Sequence, residues 1–222
     1  MRGVLQLSFD SSIAAGPRQA LRGGPAVPHG DTSVGRDYDA VMSDPVSPPR
    51  HTFLAPIPPG VEPAIPALGQ ESVWDYPRPP RVERVPERIR VIVEGVTIAD
   101  SVRALRVLET AGAPVYYVPP EDVRMDLLES SSHTTFCEWK GAASYHTLSV
   151  GDRRIPDIAW SYPQPNRGYE AIRDHLAFYA SKVDEAWVSD ERATPQPGGF
   201  YGGWVTSRIV GPMKGAPGST GW

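Results

Sequence analysis

A regular alternation of residue types begins at Val82 and leaves few folds open to this chain. From there, β-branched and aromatic residues alternate with polar ones between frequent turn signals. This period of two, broken at short intervals, is typical of an antiparallel β domain. Gly95 and the Gly151-Asp152 pair stand where hairpins are expected to turn. The predicted strands lie near residues 82–85, 89–94, 96–100, 104–109, 115–118, 134–139, 143–150, 155–162, 176–182 and 185–189.

The first 70 residues have a different character. They contain 11 prolines, scattered as in SPPRHTFLAPIPPGVEPAIP, and no period long enough to bury a face. Such a segment cannot offset its ordering entropy, so residues 1–70 are predicted to be a disordered Pro/Gly-rich leader. Met42 opens MSDPVSPPR, which resembles a natural start, and residues 1–41 are hypothesised to be an upstream extension. The β domain is predicted to span residues 71–222.

Short helical segments and an ordered C-terminal arm are also predicted. Residues 120–128 (PEDVRMDLL) begin with Pro and have acidic residues in the first turn, as a short helix would. A second helical turn is expected around residues 169–175. The last stretch, residues 197–222, is rich in glycine but also in aromatic rings, which we expect to anchor it across the domain. These aromatic residues are Phe200, Tyr201, Trp204 and Trp222.

Charge and composition argue against several classes of partner. A formal net charge of -4 and a pI of about 5.7 argue against nucleic acid or an anionic membrane surface. No apolar run approaches the roughly 18 residues that span a bilayer, and Asp10 interrupts the only stretch that could begin a signal peptide. Cys137 is the single cysteine, so no intramolecular disulfide can form. The expected location is the cytoplasm.

Five blocks of sequence carry a resemblance to a known family. They are VWDYPRPPR (73–81), RVLETAGAPVYYVPPEDV (106–123), TFCEWKGAASYHTL (135–148), IAWSYPQP (158–165) and HLAFYASKVDEAWV (175–188). Together they resemble the family called domain of unknown function 427, historically labelled nucleotidyltransferase-like. The block around Cys137 and Lys140 is the most specific part of the resemblance.

The resemblance implies a β-tent, in which two antiparallel sheets meet at an angle over an aromatic-lined cleft. Relatives of similar architecture hold a zinc ion that pins the sheets, and the metal ligands are missing from this sequence. Members of the family are found in bacteria and fungi, so a bacterial protein is expected. Glu138 departs from the family pattern, in which proline commonly follows the cysteine. The resemblance implies a fold more directly than an activity.

Neither a metal nor another cofactor is expected. Structural zinc needs four ligands at close spacing, which one cysteine and five scattered histidines do not supply. Polymerase-type nucleotidyl transfer needs alternating carboxylates on a rigid strand, but the only D-x-D, Asp37-Tyr38-Asp39, lies in the predicted leader. The glycine-rich GPMKGAPGST also lacks the residue order of a phosphate-binding loop. The residues therefore give the historical label no support.

Three polar side chains are candidates for chemistry. Cys137 could be a nucleophile activated by Lys140, although its aromatic neighbours on a strand favour a small core residue. His146 has the parity of the apolar side of its strand, which favours a core histidine over a catalytic base. Glu109 ends an alternating strand, where a buried carboxylate needs a partner such as Lys140 or a nearby Arg. Whether that pair is structural or forms the polar floor of a cleft stays open.

The aromatic residues are the largest signal in the sequence. Tyr116 and Tyr117 point to opposite faces of one strand, so both can be core only if sheets cover both sides. A cleft of rings with Lys140 and Glu109 at its floor would suit a small, flat or cationic ligand, whereas a sealed sandwich core fits the pattern equally well. The predicted ligand-binding residues are Glu109, Thr135, Cys137, Lys140, Tyr145, Trp160 and Tyr162.

The sequence therefore predicts a small-ligand-binding β domain, with a small molecule as its expected partner. The alternative is an enzyme, either nucleotidyltransferase-like as the family label suggests or with Cys137 as its nucleophile. The residues do not decide between a binding protein and an enzyme, and they predict no oligomeric state.

Overall fold

The strands of the chain follow the alternation seen in its sequence. A computed structural model describes residues 51–219 and 222; residues 1–50, with the hypothesised extension 1–41, lie outside the described residues. In chain order the strands are β1 Glu71–Ser72, β2 Arg81–Arg84, β3 Ile89–Val93, β4 Val96–Ser101, β5 Leu105–Leu108, β6 Val115–Tyr117, β7 Leu128–Cys137, β8 Gly141–Val150, β9 Arg153–Ser161, β10 Ala177–Phe178, β11 Glu185–Val188, β12 Glu191–Arg192, β13 Thr194–Pro195, β14 Trp204–Val205 and β15 Ile209–Val210. Short 3-10 turns cover Val73–Asp75, Pro120–Asp122, Met125–Leu127 and Glu170–Ile172.

The strands assemble into several sheets. Two sheets have four strands, in the orders β10-β9-β8-β7 and β12-β11-β3-β4, and a third has the order β2-β5-β6. Every pairing inside these three sheets is antiparallel. Two short pairs complete the set, β1 with β15 in parallel and β13 with β14 antiparallel. The prediction of a mostly β, antiparallel fold is confirmed, with several sheets where the resemblance implied two.

The β3–β4 hairpin shows how local sequence produces this structure. Ile89, Val91 and Val93 are buried and the residues between them are only half-buried, as the period of two requires. The turn that follows places Glu94 and Gly95 at φ values of 51° and 70°. Two successive positive φ values match the twist of a tight hairpin, and glycine meets this requirement without a steric cost. The turn predicted at Gly95 is therefore confirmed.

Strand β6 separates two clusters of buried side chains. Tyr116 belongs to one of them, here called the central core, and Tyr117 belongs to the other, here called the aromatic cluster. Both tyrosines are buried, although neighbouring side chains on a strand point to opposite faces. Protein therefore covers both sides of β6. This is the condition under which the sequence allowed both tyrosines to be core residues. The central core also contains Ile89, Leu148, Ile158 and Trp204, and the aromatic cluster contains Tyr145, Trp160, Tyr162 and Ile172.

Several apolar side chains of residues 51–70 pack onto the domain, although this segment falls within the predicted leader. Phe53, Ile57 and Val61 are partly buried against a third cluster, which is built around Trp74. The backbone is also tied down, because the Ala55 amide donates to the Trp74 carbonyl at 3.1 Å. Apolar side chains that follow no helical or strand period can still be buried individually, when each one packs against the surface of the folded domain. The packed part of the chain thus begins earlier than residue 71.

The helix predicted over residues 120–128 is two 3-10 turns interrupted by extended backbone. Val123 has φ -123° and ψ 142° and forms an antiparallel bridge with Ala99 on β4. This bridge is incompatible with a continuous helix, and Leu128 already begins β7. The tertiary contact therefore overrides the local helix signal. The second predicted turn is present as the 3-10 turn Glu170–Ile172. No helix within residues 51–219 is both long and apolar enough to cross a membrane.

The C-terminal arm, residues 197–222, lies across the domain through its aromatic side chains. Trp204 is buried in the central core, where its indole N–H donates to the Phe178 carbonyl at 2.9 Å. Trp222 packs near Trp74, with ring centroids 5.6 Å apart. Phe200, in contrast, is exposed. Because its rings are anchored at two separate places, the arm can form a fixed wall beside the aromatic cluster.

Candidate functional site

One cavity of about 420 Å³ lies beside the aromatic cluster. Its walls come from strands β5 and β6, the end of β7 and the turn into β8, strand β9 and the C-terminal arm. The structure brings all seven predicted ligand-binding residues together in its lining. They are Glu109, Thr135, Cys137, Lys140, Tyr145, Trp160 and Tyr162.

Aromatic rings form the apolar walls of the cavity. Tyr145 on β8 lies directly opposite Trp160 on β9, so the sheet register sets these two rings side by side. Tyr179 packs against Trp160 with ring centroids 4.6 Å apart, and Tyr117 meets it edge-on at 6.4 Å. Tyr145, Trp160 and Tyr162 are each 5–7% exposed. These rings are thus buried like core residues and also line an open hollow. The sequence left open whether they form a cleft or a sealed core, and the structure has features of both.

Lys140 reaches the cavity because the chain reverses sharply after it. Gly141 has a φ of 98°, which favours glycine, and Asn166 secures the turn from outside. The Asn166 side-chain amide donates to the Trp139 carbonyl at 3.0 Å, and its backbone amide donates to the Lys140 carbonyl at 3.0 Å. The Lys140 side chain is 9% exposed, with its ammonium nitrogen 5.9 Å from the centroid of the Tyr162 ring. The turn therefore fixes a cation against an aromatic wall.

Glu109 carries the negative charge of the cavity interior. Its Oε1 atom accepts a hydrogen bond from the Lys214 ammonium at 2.7 Å and one from Arg78 at 3.3 Å. The sequence predicted Lys140 or a nearby Arg as the charged partner of Glu109. The shortest contact to Glu109 comes instead from Lys214 on the C-terminal arm. Burial alone would raise the pKa of the Glu109 carboxyl, but Lys214, Lys140 and Arg78 outweigh it and hold the pKa below its ordinary value. Glu109 is therefore ionised at neutral pH.

Three phenols of the cavity are held in their neutral form by burial. Burial raises the pKa values of Tyr117, Tyr162 and Tyr179 far above their ordinary range. These side chains therefore offer ring faces and hydroxyl groups to a ligand, and no negative charge.

The C-terminal arm supplies parts of the site that the sequence did not predict. Gln196, just before the arm, accepts from the Ala113 amide at 2.8 Å and donates to the Lys214 carbonyl at 2.9 Å. Gly202 lies so close to Trp160 that a β-carbon there would be 2.0 Å from the ring. Only glycine lets the backbone of the arm approach the indole in this way. The Gly202-Gly203 pair between aromatic residues was the one sequence signal for such a contact.

The thiol of Cys137 is free and half-buried in the cavity lining. Nearby, the Thr135 hydroxyl and the Tyr145 hydroxyl are hydrogen-bonded at 3.0 Å. Within residues 51–219, no hydrogen bond to the Cys137 sulfur is found. In the same range no three His, Cys, Asp or Glu side chains are placed to hold a metal ion. Asp37 and Asp39, which form the D-x-D of the sequence, lie outside the described residues.

His146 does not line the cavity. Its Nε2 atom lies 3.0 Å from the Ser161 hydroxyl, and burial lowers the pKa of its imidazole. A half-buried, neutral and hydrogen-bonded ring fits the structural role that its parity favoured.

Fold and site together define a mostly antiparallel β domain with an aromatic-walled cavity. Residues 81–189 match the family model described as Domain of unknown function (DUF427), which confirms the resemblance seen in the sequence. No curated protein matches the chain. The family match ends before the C-terminal arm, so Gly202 and Lys214 belong to the cavity but not to the matched segment.

Proposed function

We propose that this domain binds a small molecule with a flat ring, held against the aromatic walls of the cavity. The observation that carries the proposal is the convergence of Tyr117, Tyr145, Trp160 and Tyr162 on one hollow of about 420 Å³. Small-molecule sites are commonly hollows of roughly 300–1,000 Å³ with mostly apolar linings and a few fixed polar groups. A flat ring would gain stacking contacts of roughly 0.5–1.5 kcal/mol for each aromatic pair.

The polar groups are held in place before any ligand arrives. Glu109 is fixed by Lys214 and Arg78, and the β7–β8 turn that carries Lys140 is secured by Asn166. Such preorganisation lowers the entropy that a ligand must offset on binding. The arrangement therefore favours a binding site over an accidental gap between sheets.

A thermal-shift screen of the full chain tests this function. Nucleotides, methylated amines, sugars and flat aromatic acids, amides and amines are the compounds to screen, and at least one class should raise the melting temperature. Trp160→Ala should abolish that shift, because it removes the central ring of the wall. Trp187→Ala is the matched control, since Trp187 lies on β11 against Arg90 and does not line the cavity. A screen without any stabilising compound, or an unchanged shift in Trp160→Ala, would refute the proposal.

An enzyme built on Cys137 is the second candidate, because this thiol lines the same cavity. A nucleophilic thiol needs a nearby cation or base to raise its thiolate fraction. Rapid alkylation of Cys137 by iodoacetamide at neutral pH would support the enzyme, and a slow reaction like that of free cysteine would remove it. Protection of the same thiol by a ligand from the screen would place that ligand in the cavity.

A further inference from the structure

The ammonium of Lys140 is a cation of the cavity lining without an ion pair or a hydrogen bond within the described residues, and the Trp139 indole N–H is a second unpaired donor of that lining. The side chain is 9% exposed, and within residues 51–219 no carboxylate lies within ion-pair distance of it and no acceptor is hydrogen-bonded to its nitrogen. The face of the Tyr162 ring, 5.9 Å away, is the favourable contact that it makes. Burying a cation without an ion pair or acceptor is costly. The position therefore provides three N–H donors for an incoming group.

The other charges of the cavity do not satisfy this need. Glu109 directs Oε1 to Lys214 and Arg78, and neither of its oxygens lies within 4 Å of the Lys140 nitrogen. Glu138 also lines the cavity, but it is exposed and forms no ion pair within the described residues. Three cations, Arg78, Lys140 and Lys214, thus line the cavity with two carboxylates, the half-buried Glu109 and the exposed Glu138. The interior carries an excess of positive charge that a cationic ligand would increase.

We infer that the ligand carries an anionic group, a carboxylate or a phosphate, that accepts hydrogen bonds from Lys140 while its ring packs on the aromatic wall. This inference rests on the proposed function and specifies the class of its ligand. Charge-assisted hydrogen bonds to an ammonium are about twice as strong as neutral ones, and they would replace the missing partner of Lys140. The sequence suggested a small ligand that is flat or cationic. The charges of the cavity favour a flat ligand with a negative charge over a cationic one.

Four probes with the same ring system test the inference on the full chain: 2-naphthoate, 2-naphthyl phosphate, 2-naphthamide and 2-naphthylmethylammonium. Affinities are measured by calorimetry or by protection of Cys137 from iodoacetamide. At least one of the two anions should bind about tenfold tighter than the amide, because a hydrogen bond from an ammonium to a charged acceptor is stronger than one to a neutral acceptor. The ammonium probe should bind most weakly. The ratio between naphthoate and naphthyl phosphate identifies which anion the site prefers.

Lys140→Met should bring the ratio of anion affinity to 2-naphthamide affinity close to one, because it removes the ammonium that favours a charged acceptor over a neutral one. Arg154→Met is the control for net charge, since Arg154 is exposed on β9 and does not line the cavity. Equal binding of anion and amide by the wild type, or a preference for the cation, would overturn the inference and leave the binding function standing. Failure of all four probes, together with an empty thermal-shift screen, would refute the binding function itself. The wild-type series decides the matter even if Lys140→Met does not fold.

Discussion

Tyr116 and Tyr117 are neighbours on one short strand, but they face two different interiors. Tyr116 packs in the central core beside Trp204, with ring centroids 5.2 Å apart, among aliphatic side chains from several sheets. Tyr117 faces the aromatic cluster and lines a cavity of about 420 Å³. One side of β6 is filled with side chains, and the other is walled with rings and left hollow.

The comparison shows that burial and packing are separate properties. Both tyrosines are at most 4% exposed, so exposure alone does not distinguish the two sides. The difference lies in the neighbours: aliphatic side chains of the central core pack around Tyr116, whereas the rings of Trp160 and Tyr162 lie beside Tyr117, which also lines the cavity. Protein interiors normally pack as densely as organic crystals. A hollow of this size beside a dense core is the feature on which the proposed binding function rests.

The largest expected effect is that of removing an indole from each interior. Trp204→Ala should destabilise the protein by about 3–5 kcal/mol, because it leaves a void in the central core and loses the bond to the Phe178 carbonyl. Trp160→Ala should cost at least about 1 kcal/mol less, since its space joins a hollow that already exists. Urea denaturation of the two variants measures both values. Equal losses would show that the two sides of β6 are packed alike.

Removing the half-buried carboxylate of Glu109 should have the next largest effect. Glu109→Gln leaves Lys214 buried without its charged partner, and it should cost about 2 kcal/mol at pH 7, less than for a fully buried pair because Glu109 retains some exposure. Glu138→Gln, at an exposed position of the same cavity, is the control and should change stability by less than about 0.5 kcal/mol.

The pH dependence of this loss follows from the lowered pKa of Glu109. A carboxyl whose folded-state pKa is lowered contributes stability above its unfolded pKa of about 4.3, and that contribution is lost as pH falls through the folded value. The difference between wild type and Glu109→Gln should therefore be constant from about pH 5.5 to pH 8 and shrink below about pH 4. Denaturation curves at these pH values measure it. A difference that persists unchanged in acid would mean that the charge of Glu109 does not stabilise the fold.

The sequence could predict most of the longer strands and the seven cavity residues because both depend on local patterns. A period of two identifies the faces of β3 and β8, and rings at Tyr145 and Trp160 mark a wall once those strands pair. It could not predict the contact of Lys214 with Glu109, which joins residues 105 positions apart through an arm without any period. It also could not foresee that the bridge of Val123 with Ala99 would prevent a helix. Contacts between distant segments decided each of these cases.

The smallest expected effect tests the side of β8 that faces away from the cavity, where His146 follows the cavity residue Tyr145. Burial lowers the pKa of His146, so between its folded value and the unfolded value of about 6.5 the unfolded chain binds more protons. Wild-type stability should therefore fall as pH drops below about 6.5, and His146→Gln should lack this component. At pH 8 the variant should lose about 1 kcal/mol or less, from the bond to Ser161.

Ligand binding distinguishes this side of the strand from the cavity side. Because His146 does not line the cavity, His146→Gln should bind the naphthyl probe that the wild type prefers with unchanged affinity, measured by calorimetry at pH 8. Tyr145→Leu, one residue earlier, removes a ring from the wall and the hydroxyl that meets Thr135, so it should weaken binding by about tenfold. Loss of binding in His146→Gln would show that the two faces of β8 do not act separately, and the contrast between filled and hollow sides would then fail for this strand.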